Sequence, residues 1–519
     1  MKVLVVEPLA AGGLQLLQAE HEVDVCLDLP RDELLARLPF YEALIVRSQV
    51  KVDAQALAAA GRLIVVGRAG VGVDNIDLEA ATRAGVTVVN APTANTIAAA
   101  EQTLGLMYAL ARRIPAADAS IRRGEWQRGA FLGQELRGKT LGIVGLGKIG
   151  LEVADRARAM EMDILGHDPF VTDEAAAQRG VRLAPLAELL AQADVLTLHV
   201  PLTHATRGLI GADELACMKP TALLVNAARG GLVDEAALAD ALRAGRIGGA
   251  AIDVFEHEPP HDSPLLAAPN TVLTPHLGAS TEEAQAKVAE EVVQQVLDVL
   301  AGRAARHAVN APLMTAETAH ALAPYLPLAR TLGQFYAQFA PSLADMTLEL
   351  AGEIAEYDSA PLSAALLAGL LDSATDERVT MVNAPHLARQ RGLHLAERRT
   401  VESERYPALL TLAGSSAVAG TVAGGEPRLV RLADYWVDMP VGRWMLVTRH
   451  QDRPGTMGRI GLILGEADVN ISAMHLGRSG PRADALMILA LDEPVPEAVA
   501  DRIRSHEAVL DLWLIRLSA

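Results

Sequence analysis

The chain has 519 residues, half of them hydrophobic but only 3% aromatic, and carries a formal net charge of −18. That length exceeds a single core and implies about three or four domains, with Ala, Leu and Val filling the interiors. The acidic balance excludes a nucleic-acid surface, so anionic ligands must be met by local cationic pockets.

In chain order, residues 3–6, 23–27, 43–46, 63–66 and 86–89 are apolar runs with helical patterns around them. This is the signature of a parallel sheet covered on both faces. The first run is broken by Glu7 and Pro8 and reads as a strand, not a signal peptide. Ligands of such sheets sit at strand carboxyl ends, where Arg47 and Arg68-Ala69-Gly70-Val71-Gly72 fall. Arg47, Arg68 and Gly70 are therefore candidate binding residues. Residues 96–112 read as a long helix capped by Asn95. Arg122, Arg123 and Arg128 surround Trp126 in a basic patch that, taken alone, reads as a solvated loop.

Residues 140–150 are a short apolar strand running into Gly145-Leu146-Gly147-Lys148-Ile149-Gly150 and then a helix. Glycines at this spacing allow a tight turn, close approach to a pyrophosphate and close helix–strand packing, while the helix N-terminus faces the phosphates. A second strand ends at Asp168, whose carboxylate suits ribose hydroxyls and repels a 2′-phosphate, so NAD is the expected cofactor. Further strands end at Pro201, Asn226 and Asp253, and one runs into Pro275-His276. Asp253 also reads as a turn cap and His199 as a satisfied core residue.

Hydride transfer to a carbonyl beside a carboxylate needs a cation to hold the carboxylate and polarise the carbonyl, a proton donor and acceptor, and a bound nicotinamide. Arg229 supplies the fork for the first and His276 the second, with Glu258 placed to fix the imidazole tautomer and stabilise its protonated form. No metal site is expected: Cys26 and Cys217 are the only cysteines and read as buried free thiols.

Residues 281–300 read as a helix returning to the first unit. Residues 304–440 contain β-type runs at 346–350 and 409–412 and a glycine stretch at 420–425 that reads as a loop. Residues 444–517 read β, α, β, β, α, β, a ferredoxin-like unit. There Asp452 follows the first strand and Asn470 precedes the second; their loops are expected at one end of the sheet. The residues alone favour a helix cap and a turn. No stretch approaches the about eighteen apolar residues of a membrane span, so a cytoplasmic protein with no nucleic-acid or membrane partner is expected.

Taken together, Arg68 to Asn75, Leu141 to Gly150, His199-Val200-Pro201-Leu202-Thr203, Asn226 to Gly231, Asp253 to Pro260 and Thr274 to Gly278 resemble the D-isomer-specific 2-hydroxyacid dehydrogenases over residues 1–303. The resemblance implies Arg229, Glu258 and His276 as the catalytic set. It implies Gly145, Gly147, Lys148, Ile149, Gly150, Asp168, His199, Pro201 and Asp253 as NAD contacts, with Asp253 at the carboxamide. It implies Arg47, Arg68 and Gly70 as substrate contacts, and Arg128 as completing a phosphate site from a neighbouring subunit. Residues 443–519 resemble an ACT domain through Asp452-Arg453-Pro454-Gly455 and Asn470-Ile471. Residues 304–440 resemble the extra domain of the family's long members, through Val382-Asn383-Ala384-Pro385 and Arg389-Gln390-Arg391-Gly392.

The implied fold class is α/β: two doubly wound parallel-sheet domains, then a mixed α+β domain and a ferredoxin-like domain. Implied bounds are 1–94 with 283–303 for substrate, 95–282 for NAD, 304–440 for the intervening unit and 441–519 for regulation. The implied activity is NAD-dependent oxidation of 3-phospho-D-glycerate to 3-phosphohydroxypyruvate at the entry to serine synthesis. L-serine is the implied effector, at Asp452 and Asn470, and a homotetramer the implied assembly. The rival readings are a glyoxylate or hydroxypyruvate reductase and an NADH-sensing corepressor-like binding protein.

Overall fold

Four sheets follow one another along the chain in the computed structural model, which describes every residue except 313, 373, 376, 404 and 519. The first sheet consists of Lys2–Val5, Glu22–Val25, Ala43–Val46, Val65–Arg68 and Thr87–Val89, all parallel and ordered 2-1-3-4-5. Its central strands are apolar without alternation because both faces are buried, as at Ala43–Val46. The helix Glu282–Leu300, capped by the Thr281 hydroxyl accepting from Ala284 N at 3.1 Å, returns to cover one face. Gly67 is the point of closest approach: a Cβ there would sit 2.8 Å from Val296 and 2.9 Å from Val292.

The second sheet has seven parallel strands: Thr140–Val144, Asp163–His167, Arg182–Leu183, Val195–Leu198, Leu223–Asn226, Gly249–Ile252 and Thr271–Leu273. Across the sheet their order is 3-2-1-4-5-6-7. The order reverses between Thr140–Val144 and Val195–Leu198, which opens a crevice at their carboxyl ends.

In the third unit the strands Asp345–Gly352 and His394–Thr400 pair in parallel, and four antiparallel strands from Ala408 to Pro440 complete a six-stranded sheet. Two helices, Tyr325–Phe339 and Ala360–Leu371, pack on it. The latter is apolar all round, as a buried helix must be. The two helices touch backbone to backbone: a Cβ on Gly369 would lie 1.9 Å from Arg330 O, and one on Gly333 would lie 2.1 Å from Leu366 O.

The fourth sheet is antiparallel, in the order Ile471–Arg478, Asp484–Leu491, Trp444–Gln451, Val509–Arg516, with helices Thr456–Glu466 and Glu497–Arg504 on one face. Its other face shares a core with the third unit, where Phe339 meets Trp513 with ring centroids 4.9 Å apart. The third unit in turn docks on the first. Arg378 Nη1 donates to Leu63 O at 2.7 Å and Thr380 Oγ1 to Gly85 O at 3.3 Å, just ahead of Val65–Arg68 and Thr87–Val89.

Four expectations are corrected. Gly420 lies inside the strand Ala417–Ala423, and only Gly424 and Gly425 turn the chain; Gly420 is glycine because a Cβ would meet Leu328 at 2.7 Å. Asn95 precedes the helix Thr96–Ala111 without a side-chain cap bond, and its Oδ1 is buried with no partner among the described residues. Cys217 is exposed at the end of the helix Ala212–Cys217, and Cys26 is only half-buried.

The fourth concerns Asp452 and Asn470. Trp444 and Ile471 both pair with Leu491, whereas Gln451 pairs with Asp484. The two loops therefore lie at opposite ends of the sheet, roughly 23 Å apart at about 3.3 Å per residue. The intervening helix carries the chain back across the sheet before the second strand begins. Asp452 instead accepts from Arg478 Nη1 and Arg482 N, while Asn470 Nδ2 donates to Asp492 at 2.6 Å.

The glycine contact between the two helices gives a stability prediction. Gly369→Ala forces a methyl into a backbone carbonyl and should cost about 1–3 kcal/mol. Calorimetry should show a lowered unfolding midpoint for the carboxyl-terminal half with NADH affinity unchanged; an unchanged midpoint would contradict the packing described.

Candidate active site

The glycine loop separates into three physical tasks. Gly145 has φ 94°, and a Cβ there would lie 2.5 Å from His199 O, so the turn requires glycine. Gly147 ends at the N-terminus of the helix Lys148–Ala159 and faces open space. Gly150 packs that helix onto the turn, since a Cβ would sit 2.0 Å from Gly145 O. Lys148 is exposed and Ile149 half-buried on the first turn. Asp168 sits beside this loop: its Oδ2 accepts from Leu146 N at 2.8 Å and its Oδ1 from Phe170 N at 2.9 Å. Both oxygens keep lone pairs for ribose hydroxyls, and these residues fit a dinucleotide.

His199 lies across the crevice, with Nε2 3.0 Å from Thr197 Oγ1. Desolvation pushes it down to about 4, so its ring is neutral at working pH. Pro201 follows it at the exposed rim.

Two loops bring the proton acceptor into place. Asp253, fully buried, accepts from Thr274 Oγ1, from Leu277 N at 2.9 Å and from Gly278 N at 3.0 Å. Its own carbonyl accepts from His276 N at 2.8 Å. This anchoring holds His276 at φ 55°, a left-handed conformation rare outside glycine. His276 Nδ1 then meets Glu258 Oε2 at 2.9 Å and Oε1 at 3.1 Å. Desolvation opposes the charge on Glu258. The bond and charge of His276, the Phe255 N–H and the charge of Arg229 outweigh it and hold the carboxyl below its usual value.

The cations converge from both sheets. Arg229 follows Leu223–Asn226, where Asn226 Nδ2 donates to Arg229 O at 2.9 Å and Asn226 Oδ1 accepts from Ala228 N at 3.1 Å. Gly230 lets this loop lie against Phe255, whose carbonyl oxygen would be 1.9 Å from a Cβ. From the first sheet come Arg68 and Arg47. Arg229 and Arg68 each lie over a glycine: Cβ atoms on Gly72 and Gly70 would collide with Arg229 Nη2 and Arg68 Nη1. Arg229 Nε also pairs with Asp74 at 3.3 Å across the cleft.

Arg68 is the most constrained of them. Its Nε is buried with no partner among the described residues. Burial pulls it down to about 10, and the positive charges of Arg229 and, more weakly, Arg47 act the same way against Asp74 and Glu7. It remains cationic at neutral pH.

The structure thus brings Arg229, Glu258, His276 and Arg68 together at one cleft beside the glycine loop. Arg128 lies away from it on an exposed 3-10 turn, Arg128–Phe131. Glu7, Asp74, Asn75 and Thr274 were given no role of their own from the sequence, although each follows the carboxyl end of a strand, the signal used for the others. Among the described residues no group of three or more His, Cys, Asp or Glu could hold a metal ion, and no helix is long and apolar enough to cross a membrane.

Fold and site define a class: a dehydrogenase with a doubly wound NAD-binding unit and an arginine–histidine–carboxylate cleft. Comparison agrees. Residues 104–278 match the NAD-binding domain of the D-isomer-specific 2-hydroxyacid dehydrogenases, 321–433 the D-3-phosphoglycerate dehydrogenase intervening domain and 444–508 the ACT domain. Among solved structures, a Thermus thermophilus protein is 40% identical and covers 60% of this chain and all of its own, with a TM-score of 0.56. A glyoxylate reductase from Paecilomyes thermophila is 32% identical, covering 60% of this chain and 98% of its own, with a TM-score of 0.55.

Full-length likeness is narrower. The D-3-phosphoglycerate dehydrogenase of Synechocystis is 44% identical over 99% of this chain and 95% of its own, and that of Methanocaldococcus jannaschii 43% over all of both. The chain belongs to the D-3-phosphoglycerate dehydrogenase family and is an NAD-dependent dehydrogenase.

The lowered Glu258 carboxyl gives a signed pH prediction. A group held below its unfolded value stabilises the fold above that unfolded value and loses the contribution as pH falls through the folded one. Urea unfolding should show wild type more stable than Glu258→Gln at neutral pH and the gap closing below the usual carboxylate range. A gap that persists in acid would contradict the pairing with His276.

Proposed function

We propose that the chain oxidises 3-phospho-D-glycerate to 3-phosphohydroxypyruvate, the entry to serine synthesis, and prefers NAD to NADP. Arg68 carries the substrate assignment: a half-buried arginine whose Nε is buried with no partner among the described residues, set among like charges. Such a group is costly until an anion arrives, and a molecule with a carboxylate at one end and a phosphate at the other matches cations spread along a cleft. Full-length likeness to proteins named D-3-phosphoglycerate dehydrogenase supports the same reading.

In this reading Arg229 grips the carboxylate and polarises the C2 oxygen, and Arg47 and Arg68 hold the phosphate over Gly70. Gly145, Gly147, Lys148, Ile149 and Gly150 seat the pyrophosphate, and Asp168 takes the ribose. His199, Pro201 and Asp253 line the nicotinamide end. NAD supplies the two-electron acceptor when bound. His276 takes the hydroxyl proton at Nε2, because Nδ1 is turned to Glu258, and Glu258 stabilises the resulting imidazolium. Oxidation needs the neutral ring, so its rate rises with pH.

Arg128 reaches the phosphate from a neighbouring copy in a homotetramer. The strong exposure of nearby Trp126 and Leu132, 79% and 85%, supports a contact between copies there. The ACT unit supports amino-acid control with L-serine as effector. Because Asp452 and Asn470 lie at opposite sheet ends, one serine touches both only across two copies.

The test is a steady-state assay with NAD or NADP, 3-phospho-D-glycerate or D-glycerate, with and without serine. NADH formation should favour the phosphorylated acid and fall with serine, and His276→Ala should cut kcat by about 10²–10⁴ with NADH affinity retained. Faster glyoxylate reduction would make the chain a reductase, and cofactor binding without turnover a sensor. Equal use of NADP would remove the role of Asp168, and indifference to serine would remove the effector.

A further inference from the structure

Glu7 is a buried carboxylate, 5% exposed, at the carboxyl end of the first strand, and the proton-transfer chemistry does not use it. Its Oε2 accepts from Arg47 N at 2.7 Å and Val50 N at 3.2 Å, and its Oε1 from Gln49 N at 3.0 Å. Three backbone donors of the loop bearing Arg47, those of Arg47, Gln49 and Val50, are thus gathered onto one side chain. From the other side Asn75 Nδ2 donates to Arg47 O at 3.0 Å and Val50 O at 2.7 Å, while Asn75 O accepts from Val52 N at 2.8 Å. Asn75 belongs to the loop that begins at Arg68, and Val52 bridges Ile76 in parallel. The two arginine-bearing loops are therefore sewn into one body.

Glu42 shows what a merely structural buried glutamate does in the same sheet. It precedes Ala43–Val46 at the opposite end, 7% exposed, accepts from Lys2 N at 2.6 Å and pairs with Arg62. It lies one strand length from the cleft. Glu7 has equal burial and similar bonding, but everything it holds is backbone at the mouth of the site.

We propose that Glu7 is a positioning residue for selectivity toward a phosphorylated substrate: through the loop backbone, and with Asn75, it sets the spacing of Arg47 and Arg68. It touches no substrate atom. The proposal rests on the reading that those arginines hold the phosphate. Glu7→Gln keeps the volume but replaces one acceptor oxygen with a donor facing backbone N–H groups, so the loop must shift. A displaced cation loses the charge-assisted geometry on which discrimination depends.

The test compares wild type, Glu7→Gln, Asn75→Ala, Glu42→Gln and Arg47→Ala in kcat/KM for 3-phospho-D-glycerate over D-glycerate, with NADH affinity and thermal midpoint. In Glu7→Gln the ratio should fall about tenfold or more through KM, with kcat and NADH affinity within about twofold. Asn75→Ala should follow it, and Glu42→Gln should lose stability at an unchanged ratio. If Arg47→Ala collapses the ratio but Glu7→Gln and Asn75→Ala leave it unchanged, the proposal fails and the phosphate reading stands. If Arg47→Ala leaves the ratio unchanged, the phosphate reading fails and the proposal falls with it. Should Glu7→Gln not fold, Asn75→Ala decides by the same ratio.

Discussion

Everything at the cleft depends on holding like charges together. Arg68 and Arg229 come from different sheets, and burial first, then the charge of Arg229, pull the Arg68 guanidinium down to about 10. Burial alone would make such an arrangement unfavourable, and the fold answers with close backbone and fixed acids. Gly70 and Gly72 remove the side chains that would block the guanidinium groups. Asp74 gives Arg229 a partner across the cleft, and Glu7, buried under the Arg47 backbone, is a counter-charge to Arg68. The residual demand for an anion is what turns this geometry into a substrate site.

The proton-transfer half is built differently, around one buried acid. Asp253 gathers the Thr274 hydroxyl and two backbone N–H groups, and its carbonyl takes the His276 N–H. That network holds a histidine in a left-handed backbone conformation, which presents Nδ1 to Glu258. The strain is of the kind that persists only where surroundings over-determine it. A parallel sheet supplies the geometry, since all these residues leave strands at their carboxyl ends.

Both parallel sheets and the glycine loop were legible in the sequence because strands buried on both faces leave apolar runs and the loop needs glycine at each of its tasks. Arg229, Glu258 and His276 were legible as chemistry, while Glu7 and Asn75 were not, because a residue acting through backbone carries no chemical signature. In the third unit glycine content misled: Gly420 looks like a loop residue, yet it is a strand position pressed by Leu328. For Asp452 and Asn470 the element order was right but the ends were not, because a strand–helix–strand crossover starts its second strand at the end where the first began.

The tail does not hang freely. Its sheet shares a core with the third unit, and Arg378 and Thr380 tie that unit to the amino ends of Val65–Arg68 and Thr87–Val89. A continuous packed route therefore runs from the ACT sheet to the strand that ends in Arg68. The most direct measurement on the account as a whole is kcat/KM of wild type and Arg68→Ala on 3-phospho-D-glycerate and D-glycerate. Loss of a charge-assisted contact worth about 1.5–3 kcal/mol should lower the value for the phosphorylated acid by roughly one to two decades and leave D-glycerate little changed. Equal losses on both acids would contradict the assignment of Arg68 to the phosphate.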